Sequence, residues 1–415
     1  MPARSKYRVL YLDTAPTVGG SVISLYQLLR KLDRTRYEPV IVAYAPHAYT
    51  QEFRALGADV IEWDVYAPQS TPTHCAAWAS GAKESTPVRW LRSAAWGSRL
   101  YHTLGFVALL LRSVWPRARA LRRIIAEKHI DLVHTNIRVG HDREGIIAAR
   151  MAGVPCVCHI RHFEKLNCFD SKLAGSADSF IYISEAVQRN HLEAGVPHAK
   201  GRVVYNGLDM SAFAGALDLP RGRKSLGLSS EDLAVGIVGR LERWKGHEVF
   251  LRAMAEVVNI VPEARGIIVG DPVPHDPDYR SELLALRDEL GLGDRVLFSG
   301  FRPDIPAIMS ALDILVLASS SPEPFGRVLI EAMAAGKPVV ATDAGATREI
   351  IEEGIQGILV PPGDVQTLSR AIVRILTHGN LATAMGRKGQ ARVGEKFSVQ
   401  QCVDGVQAVY HELLA

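Results

Sequence analysis

Cysteine is scarce in this sequence, with only five residues among 415. The cysteines are Cys75, Cys156, Cys158, Cys168 and Cys402. An odd number of scattered thiols in a long chain is typical of a reduced, cytosolic protein and argues against a small disulfide-stapled fold. Cys156 and Cys158 alternate in a strand-like run and therefore share a face, but a zinc site would need two further ligands, and none is evident. We therefore expect free thiols and no zinc site.

Long apolar runs are missing as well. A membrane-spanning helix takes about 20 apolar residues, whereas the apolar run at residues 105–111 is far shorter. The amino-terminal "MPARSKY" is basic, but no apolar segment of suitable length follows it, so we expect no signal peptide. These absences predict a cytoplasmic protein.

Acidic residues are absent from residues 88–125. This stretch carries eight arginines, namely Arg89, Arg92, Arg99, Arg112, Arg117, Arg119, Arg122 and Arg123. Removing these eight charges from the net charge of +4 leaves −4 for the rest of the chain, which argues against nucleic acid binding over the whole surface. With Trp90, Trp96 and Trp115 in the same stretch, the pattern favours a helix lying peripherally on the inner face of a membrane. The alternative is a basic solvated face over an ordinary core helix.

Strand-like apolar segments alternate with helical segments almost from end to end. In the first half we predict strands at residues 7–13, 38–44, 131–136, 155–160 and 179–184. Residues 202–223 are rich in turn-forming types and are interpreted as a linker. The pattern then restarts, with strands predicted at residues 234–240, 264–271, 294–301, 314–319, 338–343 and 357–362. Such alternation predicts parallel sheets covered by helices on both faces.

The fold class is therefore α/β, with two doubly wound Rossmann-like domains in tandem. We predict an N-terminal domain at residues 1–203 and a C-terminal domain at residues 204–397. A helix at residues 398–415 is expected to pack back on the first domain, and Ser398 with Gln401 forms a capping box at its start. Ligands of doubly wound sheets bind beyond the carboxyl ends of the strands, so we expect the site in a cleft that the two domains face.

The segment "SSSPEPFGRVLIEAMAAG" at residues 319–336 carries two glutamates, Glu323 and Glu331, eight residues apart. On one helix they would point roughly 80° apart. The prolines instead place Glu323 in a loop after a strand, and "RVLIEAMAAG" predicts a helix with Glu331 about one turn in. The free N–H groups at the start of that helix form an anion site between two carboxylates. A sugar nucleotide has the matching order of sugar hydroxyls, diphosphate and ribose hydroxyls.

A second loop after a strand, "VGRLERWKG" at residues 238–246, carries Arg240 and Lys245. Arginine binds a phosphate with a bidentate fork, and lysine binds it as a point charge. This pair is therefore expected to neutralise a leaving diphosphate without a metal ion.

These residues carry a family resemblance. The turn Gly239-Arg240 to Lys245-Gly246 matches a G-R-x-x-x-x-K-G pattern. The run from Glu323 to Ala341 matches E-x-F-G-x-x-x-x-E-A-M-A-x-G-x-P-V-V-A without a gap. Together they resemble the retaining GT-B glycosyltransferases of family 4, the glycosyl transferase group 1 type. The match is close over roughly residues 200–397 and looser in the N-terminal half.

The resemblance implies roles for the C-terminal half. Arg240 and Lys245 would hold the donor diphosphate, and Glu331 would bind the ribose hydroxyls. Glu323 would lie beside the hydroxyls of the transferred sugar and stabilise the transition state. The backbone N–H groups at Phe325, Gly326, Arg327 and Val328 would hold phosphate and sugar. Arg302, in the loop Phe301-Arg302-Pro303, would meet the nucleotide base.

In the N-terminal half the resemblance implies that Gly19 and Gly20 form the glycine-rich first loop, near donor phosphate and acceptor. The alternative is a tight turn that only glycine fits. His159 resembles the active-site histidine of the family, with His162 as a nearby competitor. Arg161 and Glu164 lie in the same segment, and nothing in the sequence fixes their role.

We therefore predict a retaining glycosyltransferase that moves a hexose from a UDP- or GDP-sugar to a hydroxyl of a lipid-linked or polysaccharide acceptor. No cofactor or metal is expected, because no Asp-x-Asp pair lies at a strand end. A GT-B sugar-nucleotide epimerase and a non-catalytic nucleotide-sugar-binding protein are the alternatives. The complete pair of glutamates disfavours the first, and the presence of both Glu323 and Lys245 disfavours the second. A Rossmann dehydrogenase would need G-x-G-x-x-G after a strand, which the sequence lacks.

Overall fold

The computed structural model describes residues 6–15, 17–63, 65, 104–197, 200–214 and 219–415. Cys75 and much of the arginine-rich stretch, including Arg89, Trp90, Arg92, Trp96 and Arg99, lie outside these residues. The chain forms two compact units. The first comprises Met1–Ile181, His191–Arg202 and Gln407–Ala415, and the second comprises Tyr182–Asn190 and Val203–Val406.

A seven-stranded sheet organises the first unit. Its strands are β1 (Tyr7–Asp13), β2 (Tyr37–Ala43), β3 (Asp59–Glu62), β4 (Leu132–Thr135), β5 (Cys156–Ile160), β6 (Ser179–Tyr182) and β7 (Gly201–Val203). The order is β3-β2-β1-β4-β5-β6-β7, and β1 pairs in parallel with both β2 and β4. Chain order reverses beside β1, which makes the edge after β1 and β4 a topological switch point, the usual ligand position in such sheets.

Helices cover this sheet. They are α1 (Gly20–Lys31), α2 (Ala48–Ala55), α3 (Trp115–Glu127), α4 (Arg143–Ala152) and α5 (Cys168–Ala174). The next helix, α6 (Glu185–Glu193), follows β6, and its residues up to Asn190 belong to the second unit. Residues 104–109 are helical and run through a π-helical turn, Leu110–Val114, into α3. Among the helices that the structure describes, none is long and apolar enough to cross a membrane.

The second unit repeats the plan with six strands. They are β8 (Leu233–Val238), β9 (Ala264–Val269), β10 (Val296–Gly300), β11 (Ile314–Leu317), β12 (Val339–Thr342) and β13 (Gly357–Val360). The order is β10-β9-β8-β11-β12-β13, and all the neighbouring pairs are parallel. The switch point here lies beside β8 and β11.

The helices that follow the first unit's set are, in chain order, α7 (Ser211–Ala214), α8 (Leu219–Ser225), α9 (His247–Ile260), α10 (Tyr279–Glu289), α11 (Ile305–Ala311), α12 (Arg327–Ala334), α13 (Thr347–Ile350), α14 (Val365–Thr377), α15 (Gly379–Lys396) and α16 (Val399–Leu414). Short 3₁₀ turns lie at Arg243–Lys245 and Gly293–Arg295. The predicted capping box is confirmed, since Ser398 N donates to Gln401 Oε1 at 3.2 Å and Gln401 N donates to Ser398 Oγ at 3.3 Å.

Buried aliphatic strands explain why these elements form. Val9, Leu10 and Leu12 of β1 are fully buried, as are Val235 of β8 and Val316 of β11. Strands covered on both faces need such apolar runs, which is why the α/β prediction is confirmed. The linker interpretation of residues 202–223 is wrong in part, because this segment contains the end of β7 together with α7 and the start of α8.

The described thiols agree with the sequence. Cys156, Cys158 and Cys402 are buried, Cys168 is exposed, and none of these four forms a disulfide.

Candidate functional site

The loops after β8 and β11 lie against each other in the second unit. The loop after β8 ends in the 3₁₀ turn Arg243–Lys245 and then Gly246, which has a left-handed φ of 75°. A Cβ atom on Gly246 would come within 1.9 Å of the carbonyl oxygen of Ala318, just after β11. Only glycine therefore allows this approach, which brings Lys245 beside the end of β11.

Lys245 and Glu323 form an ion pair at this switch point. The Nζ atom of Lys245 lies 2.6 Å from Oε1 of Glu323, with 21% and 5% of the two side chains exposed. The hydroxyl of Ser319 donates to the same Oε1 atom at 2.7 Å. Ser319 was not among the predicted site residues, although it ends a predicted strand and lies four residues before Glu323.

The backbone of the Glu323 loop is fixed from both sides. Ala346 N donates to the carbonyl oxygen of Glu323 at 2.9 Å, and the hydroxyl of Ser184 donates to the carbonyl oxygen of Pro324 at 2.7 Å. The ring of Phe325 is 3% exposed and packs between Tyr205 and Phe397, at centroid distances of 6.1 and 5.9 Å. Phe325 is thus an anchor, and its backbone is the only part suited to a ligand.

Helix α12 begins directly after this anchor. Gly326 precedes it in the left-handed region, with φ of 94°, and Arg327 and Val328 form its first turn. The first N–H groups of a helix have no partner inside the helix and carry a partial positive charge. Glu331 lies one turn further on, where its Oε1 atom is 3.2 Å from Nη2 of Arg327, and both side chains are 14% exposed. Arg327 therefore orients the Glu331 carboxylate.

Arg240 is more loosely held than Lys245. Its side chain is 54% exposed, and Nη2 lies 3.2 Å from Oε1 of Glu242. The other oxygen of Glu242 accepts the indole N–H of Trp244 at 2.8 Å. The Trp244 ring in turn faces Lys245, whose Nζ is 3.9 Å from the ring centroid. Because the Arg240 side chain is exposed to solvent, its pair with Glu242 contributes little free energy, so Arg240 can leave Glu242 for a stronger anion.

Arg302 has protein partners of its own. Its guanidinium donates to both oxygens of Asp304, at 2.9 and 2.7 Å, and to the hydroxyl of Ser225 at 3.0 Å. The hydrogen bond with Asp304 raises the pKa of Arg302. The neighbouring Phe301 is 69% exposed, which is unusual for a large apolar ring. In this loop Phe301 is therefore the side chain that remains available for a base.

In the first unit, the loop after β1 leads into α1 through Gly19 and Gly20. Gly19 is extended, with φ of −148°, and a Cβ atom there would meet no heavy atom within 4 Å. A tight turn that only glycine fits is therefore not the reason for Gly19. Helix α1 has no acidic residue in its first turn and no side-chain cap.

His159 lies in the interior of the first unit and is 1% exposed. Its Nδ1 atom is 3.2 Å from Nε2 of His134 and 3.3 Å from Nη2 of Arg161. Burial, then the charge of Arg161, lowers the pKa of His159 well below its usual value, so its ring is neutral at pH 7. The competitor His162 is exposed. A ligand would reach His162 without any rearrangement, whereas it would have to open the interior to reach His159.

The hydrogen-bond network around His159 continues to the carboxy-terminal helix. The Tyr410 hydroxyl lies 2.6 Å from Nδ1 of His134 and donates to the Tyr11 hydroxyl at 3.1 Å. Burial, followed by Arg161, lowers the pKa of His134 to about 3. Sequence reasoning missed this network because its members lie far apart along the chain.

Two buried carboxylates hold the loop after β4. Asp142 accepts the Thr14 hydroxyl at 2.6 Å and the backbone N–H groups of Ile137 and Arg138 at 2.8 and 3.2 Å. Burial raises its pKa to about 6, although the charge of His141 and the Thr14 hydrogen bond oppose that effect. Asp142 therefore ties the loops after β1 and β4 together.

Glu164 is the second of these carboxylates. It accepts the backbone N–H groups of Val139 and Gly140 at 3.0 and 3.1 Å, and His191 Nε2 lies 2.9 Å from it. Burial tends to raise the pKa of Glu164, but these hydrogen bonds outweigh it and the pKa is lowered. Glu164 ties the loops after β4 and β5 together.

The described residues contain no group of three or more histidine, cysteine or acidic side chains suited to holding a metal ion. The independence from metal expected from the sequence stays a prediction.

Comparisons with known proteins cover both units. The family model for glycosyl transferases group 1 matches residues 220–392, and the model for Glycosyltransferase Family 4 matches residues 18–212. The lipopolysaccharide core biosynthesis mannosyltransferase LpsB of Rhizobium meliloti is 32% identical over 51% of this chain and 61% of its own length. This chain thus aligns with about three fifths of that relative. A UDP-Gal:alpha-D-GlcNAc-diphosphoundecaprenol alpha-1,3-galactosyltransferase of Escherichia coli is 27% identical over 71% of this chain and 79% of its own.

Among solved structures, HepE of Anabaena in complex with UDP and glucose is similar, with a TM-score of 0.77 and 26% identity over 98% of this chain and 99% of that one. The two Rossmann-like units with seven and six strands are those of the GT-B fold. Two family models that match the two halves, together with this likeness, establish the family. The chain belongs to the group 1 glycosyltransferases of family 4.

Proposed function

We propose that the protein is a retaining hexosyltransferase that moves a hexose from a UDP- or GDP-sugar to a hydroxyl of a lipid-linked or polysaccharide acceptor. The observation that carries this proposal is the cluster of Lys245, Glu323 and Ser319 at the switch point of the second sheet. It combines a cation for phosphate with a fixed carboxylate for sugar hydroxyls, directly before the amino terminus of α12.

The donor diphosphate would be neutralised by Arg240, Lys245 and the first N–H groups of α12. Arg240 is exposed and weakly paired, so it can turn from Glu242 to the phosphates when the donor binds. Lys245 lies in a buried pair and keeps its position. Negative charge grows on the diphosphate as the sugar bond breaks, and preorganised donors stabilise that charge in the transition state.

Glu323 would orient the sugar and stabilise the positive charge that develops at its anomeric carbon. Lys245 and Ser319 both contact Oε1, and we assign Oε2 to the hydroxyls of the transferred sugar. Because the backbone at Glu323 and Pro324 is fixed by Ala346 and Ser184, the carboxylate is held in place before the donor arrives.

The nucleoside would lie between Glu331 and Phe301. The Glu331 carboxylate, oriented by Arg327, suits two ribose hydroxyls. The exposed ring of Phe301 offers a stacking surface for the base, while Arg302 holds the loop through Asp304. In this proposal Phe301 contacts the base, in place of Arg302, which the resemblance implied.

The relatives support a nucleotide-sugar donor but differ in the sugar. HepE is described in complex with UDP and glucose, LpsB is named a mannosyltransferase, and the Escherichia coli relative is named for UDP-Gal and a diphosphoundecaprenol-linked acceptor. We therefore keep both UDP- and GDP-sugars as donors. A lipid-linked acceptor on the cytoplasmic side of a membrane fits best with the exposed apolar and basic side chains of residues 104–127.

The deciding experiment is a panel of UDP- and GDP-hexoses, assayed for hydrolysis and for transfer to lipid-linked and glycan acceptors. We expect one donor to support transfer, with the anomeric configuration of the product equal to that of the donor by NMR. Glu323→Gln should abolish transfer, and Lys388→Gln, an exposed change on α15, should leave it unchanged. Interconversion of free nucleotide sugars without transfer would instead indicate an epimerase. Nucleotide-sugar binding with neither reaction would indicate a non-catalytic binding protein.

A further inference from the structure

The loops after β4 and β5 expose cations and bury their acids. In residues 136–142 and 161–167 the acidic side chains are Asp142 and Glu164, which are 0% and 8% exposed. The exposed ionisable side chains of the same two loops are Arg138, His162 and Lys165. The formal charges of the two loops nearly cancel, so the exposure of each charged side chain decides which charge a ligand meets. An approaching ligand would meet the positive groups first.

The buried Glu164 also joins the two loops that carry the exposed cations. Glu164 accepts N–H groups from Val139 and Gly140. Lys165 follows Glu164 in the chain and Arg138 precedes Val139, so the two cations are next to the residues that join the loops. β4 and β5 are neighbouring parallel strands, and both loops leave from the same edge of the sheet. The two carboxylates accept backbone N–H groups inside the loops, so their negative charge is directed away from the surface.

We infer that these two loops form a binding site for a phosphate group of the acceptor, with Arg138 and Lys165 as its main ligands. The inference rests on the proposed function, since it names the chemical class of the acceptor. Arginine supplies a bidentate fork and lysine a point charge, the two ways in which proteins bind phosphate. Asp142 and Glu164 are positioning residues that hold the loop backbone.

An anionic membrane is the competing explanation for exposed cations on this edge. The loop acids favour the phosphate site, because they tie the loops after β1, β4 and β5 into one fixed arrangement. Attraction to a lipid surface depends on net charge near that surface and needs no such fixed arrangement.

The test uses the full chain with saturating UDP, so that the donor site is filled, and inorganic pyrophosphate as the probe in calorimetry. We expect the wild type to bind pyrophosphate and Arg138→Gln/Lys165→Gln to bind it about 100-fold more weakly, since each charged hydrogen bond contributes about tenfold. The matched control is Arg30→Gln/Lys31→Gln, two basic residues in the last turn of α1, which should bind as wild type. Equal binding by both double variants, or no binding by wild type, overturns the inference.

Two further measurements are needed. The first distinguishes a lipid phosphate from a phosphate of the acceptor, and the second distinguishes failure of this inference from failure of the proposed function. Vesicles containing phosphatidylglycerol should bind the Arg138→Gln/Lys165→Gln variant as well as wild type. If vesicle binding falls while pyrophosphate binding does not, the surface contacts lipid and the inference is wrong. Donor hydrolysis and UDP affinity should be unchanged in the variant. If the wild type shows neither donor hydrolysis nor UDP binding, the proposed function is wrong. Pyrophosphate binding still tests the phosphate site in that case.

Discussion

Lys245 Nζ lies 2.6 Å from Oε1 of Glu323, so the cation proposed for the diphosphate and the carboxylate proposed for the sugar form a single ion pair. Removing either partner therefore has two effects, one on chemistry and one on stability. Lys245→Ala leaves a buried carboxylate with the Ser319 hydroxyl but no cation. Arg240→Ala removes an exposed side chain with a weak partner.

We expect both Lys245→Ala and Arg240→Ala to lower kcat by about 10²–10³-fold, the usual effect of losing one preorganised donor. Lys245→Ala should also destabilise the second unit by about 2 kcal/mol, because the Glu323 charge is left unpaired. Lys245→Ala/Glu323→Gln should restore stability without activity. Steady-state kinetics and urea unfolding measure both effects. Wild-type rates in the single variants would contradict the assignment to the phosphates.

Glu331→Ala should mainly weaken nucleotide affinity, because contacts to the ribose do not change during the reaction. Calorimetry with free UDP and GDP measures this, and we expect about a tenfold loss for the preferred nucleotide. Glu289→Gln, an exposed change on α10, is the control and should have no effect. If Glu331→Ala binds both nucleotides as tightly as wild type, Glu331 lies outside the site.

The residues proposed for the donor site could be selected from the sequence because they lie in two short continuous motifs. The motifs gave the strand, loop and helix of residues 314–334 correctly, with Glu331 one turn into α12. The ion pair was not predictable, because Lys245 and Glu323 are 78 residues apart and meet only through the order of β8 and β11. The strands β3 and β7 were missed because they are the two edge strands of the sheet and none of their residues is buried, so they lack the apolar run that marks the inner strands.

The burial of His159 was within reach of the sequence. A strand covered on both faces buries every side chain, and all five residues of β5 are buried. The resemblance to the family drew attention to the histidine but not to this consequence. The partners His134 and Tyr410 depend on tertiary contacts and could not be foreseen.

Acid should destabilise the first unit through His134. Burial and Arg161 lower its pKa to about 3, below the ordinary value of about 6.5, so the unfolded chain binds a proton more readily. The stability is fully present above pH 6.5 and falls as the pH drops toward 3. Between pH 6 and 5 we expect wild type to lose about 1 kcal/mol more than His134→Gln in urea unfolding. An equal loss in both proteins would contradict this, and His411→Gln, an exposed change, should behave as wild type.

Activity should survive chelation of metal ions, because Arg240, Lys245 and the start of α12 are proposed to neutralise the diphosphate. The measurement compares transfer rates before and after extensive dialysis against EDTA. Loss of activity that Mn²⁺ or Mg²⁺ restores would show that the two basic side chains are not sufficient.

Membrane binding is expected through the described part of the arginine-rich stretch. Large apolar side chains there are exposed, namely Leu104, Val107, Leu109, Leu111 and Trp115. Arg112, Arg119, Arg122 and Arg123 are exposed along the same helical segment. Arg117 differs, since its Nη1 atom is 3.7 Å from Glu144 and its guanidinium lies 5.9 Å from the centre of the Tyr44 ring. Arg117 therefore packs on the protein. The other four arginines are exposed, and the guanidinium of Arg119 lies 5.4 Å from the centre of the exposed Trp115 ring.

Each arginine near an anionic bilayer contributes about 1 kcal/mol, so four contribute about 4 kcal/mol, close to a thousandfold in partitioning. Changing Arg112, Arg119, Arg122 and Arg123 to Gln should remove most co-sedimentation with anionic liposomes, whereas Arg117→Gln should retain it. Wild-type binding should also fall as salt is raised, because the attraction decays within a Debye length of about 8 Å at physiological ionic strength. If wild type ignores anionic liposomes, or the fourfold variant binds them equally well, these side chains form only a basic protein face. The proposal of a lipid-linked acceptor would then lose its main structural support, while the donor site in the second unit would be unaffected.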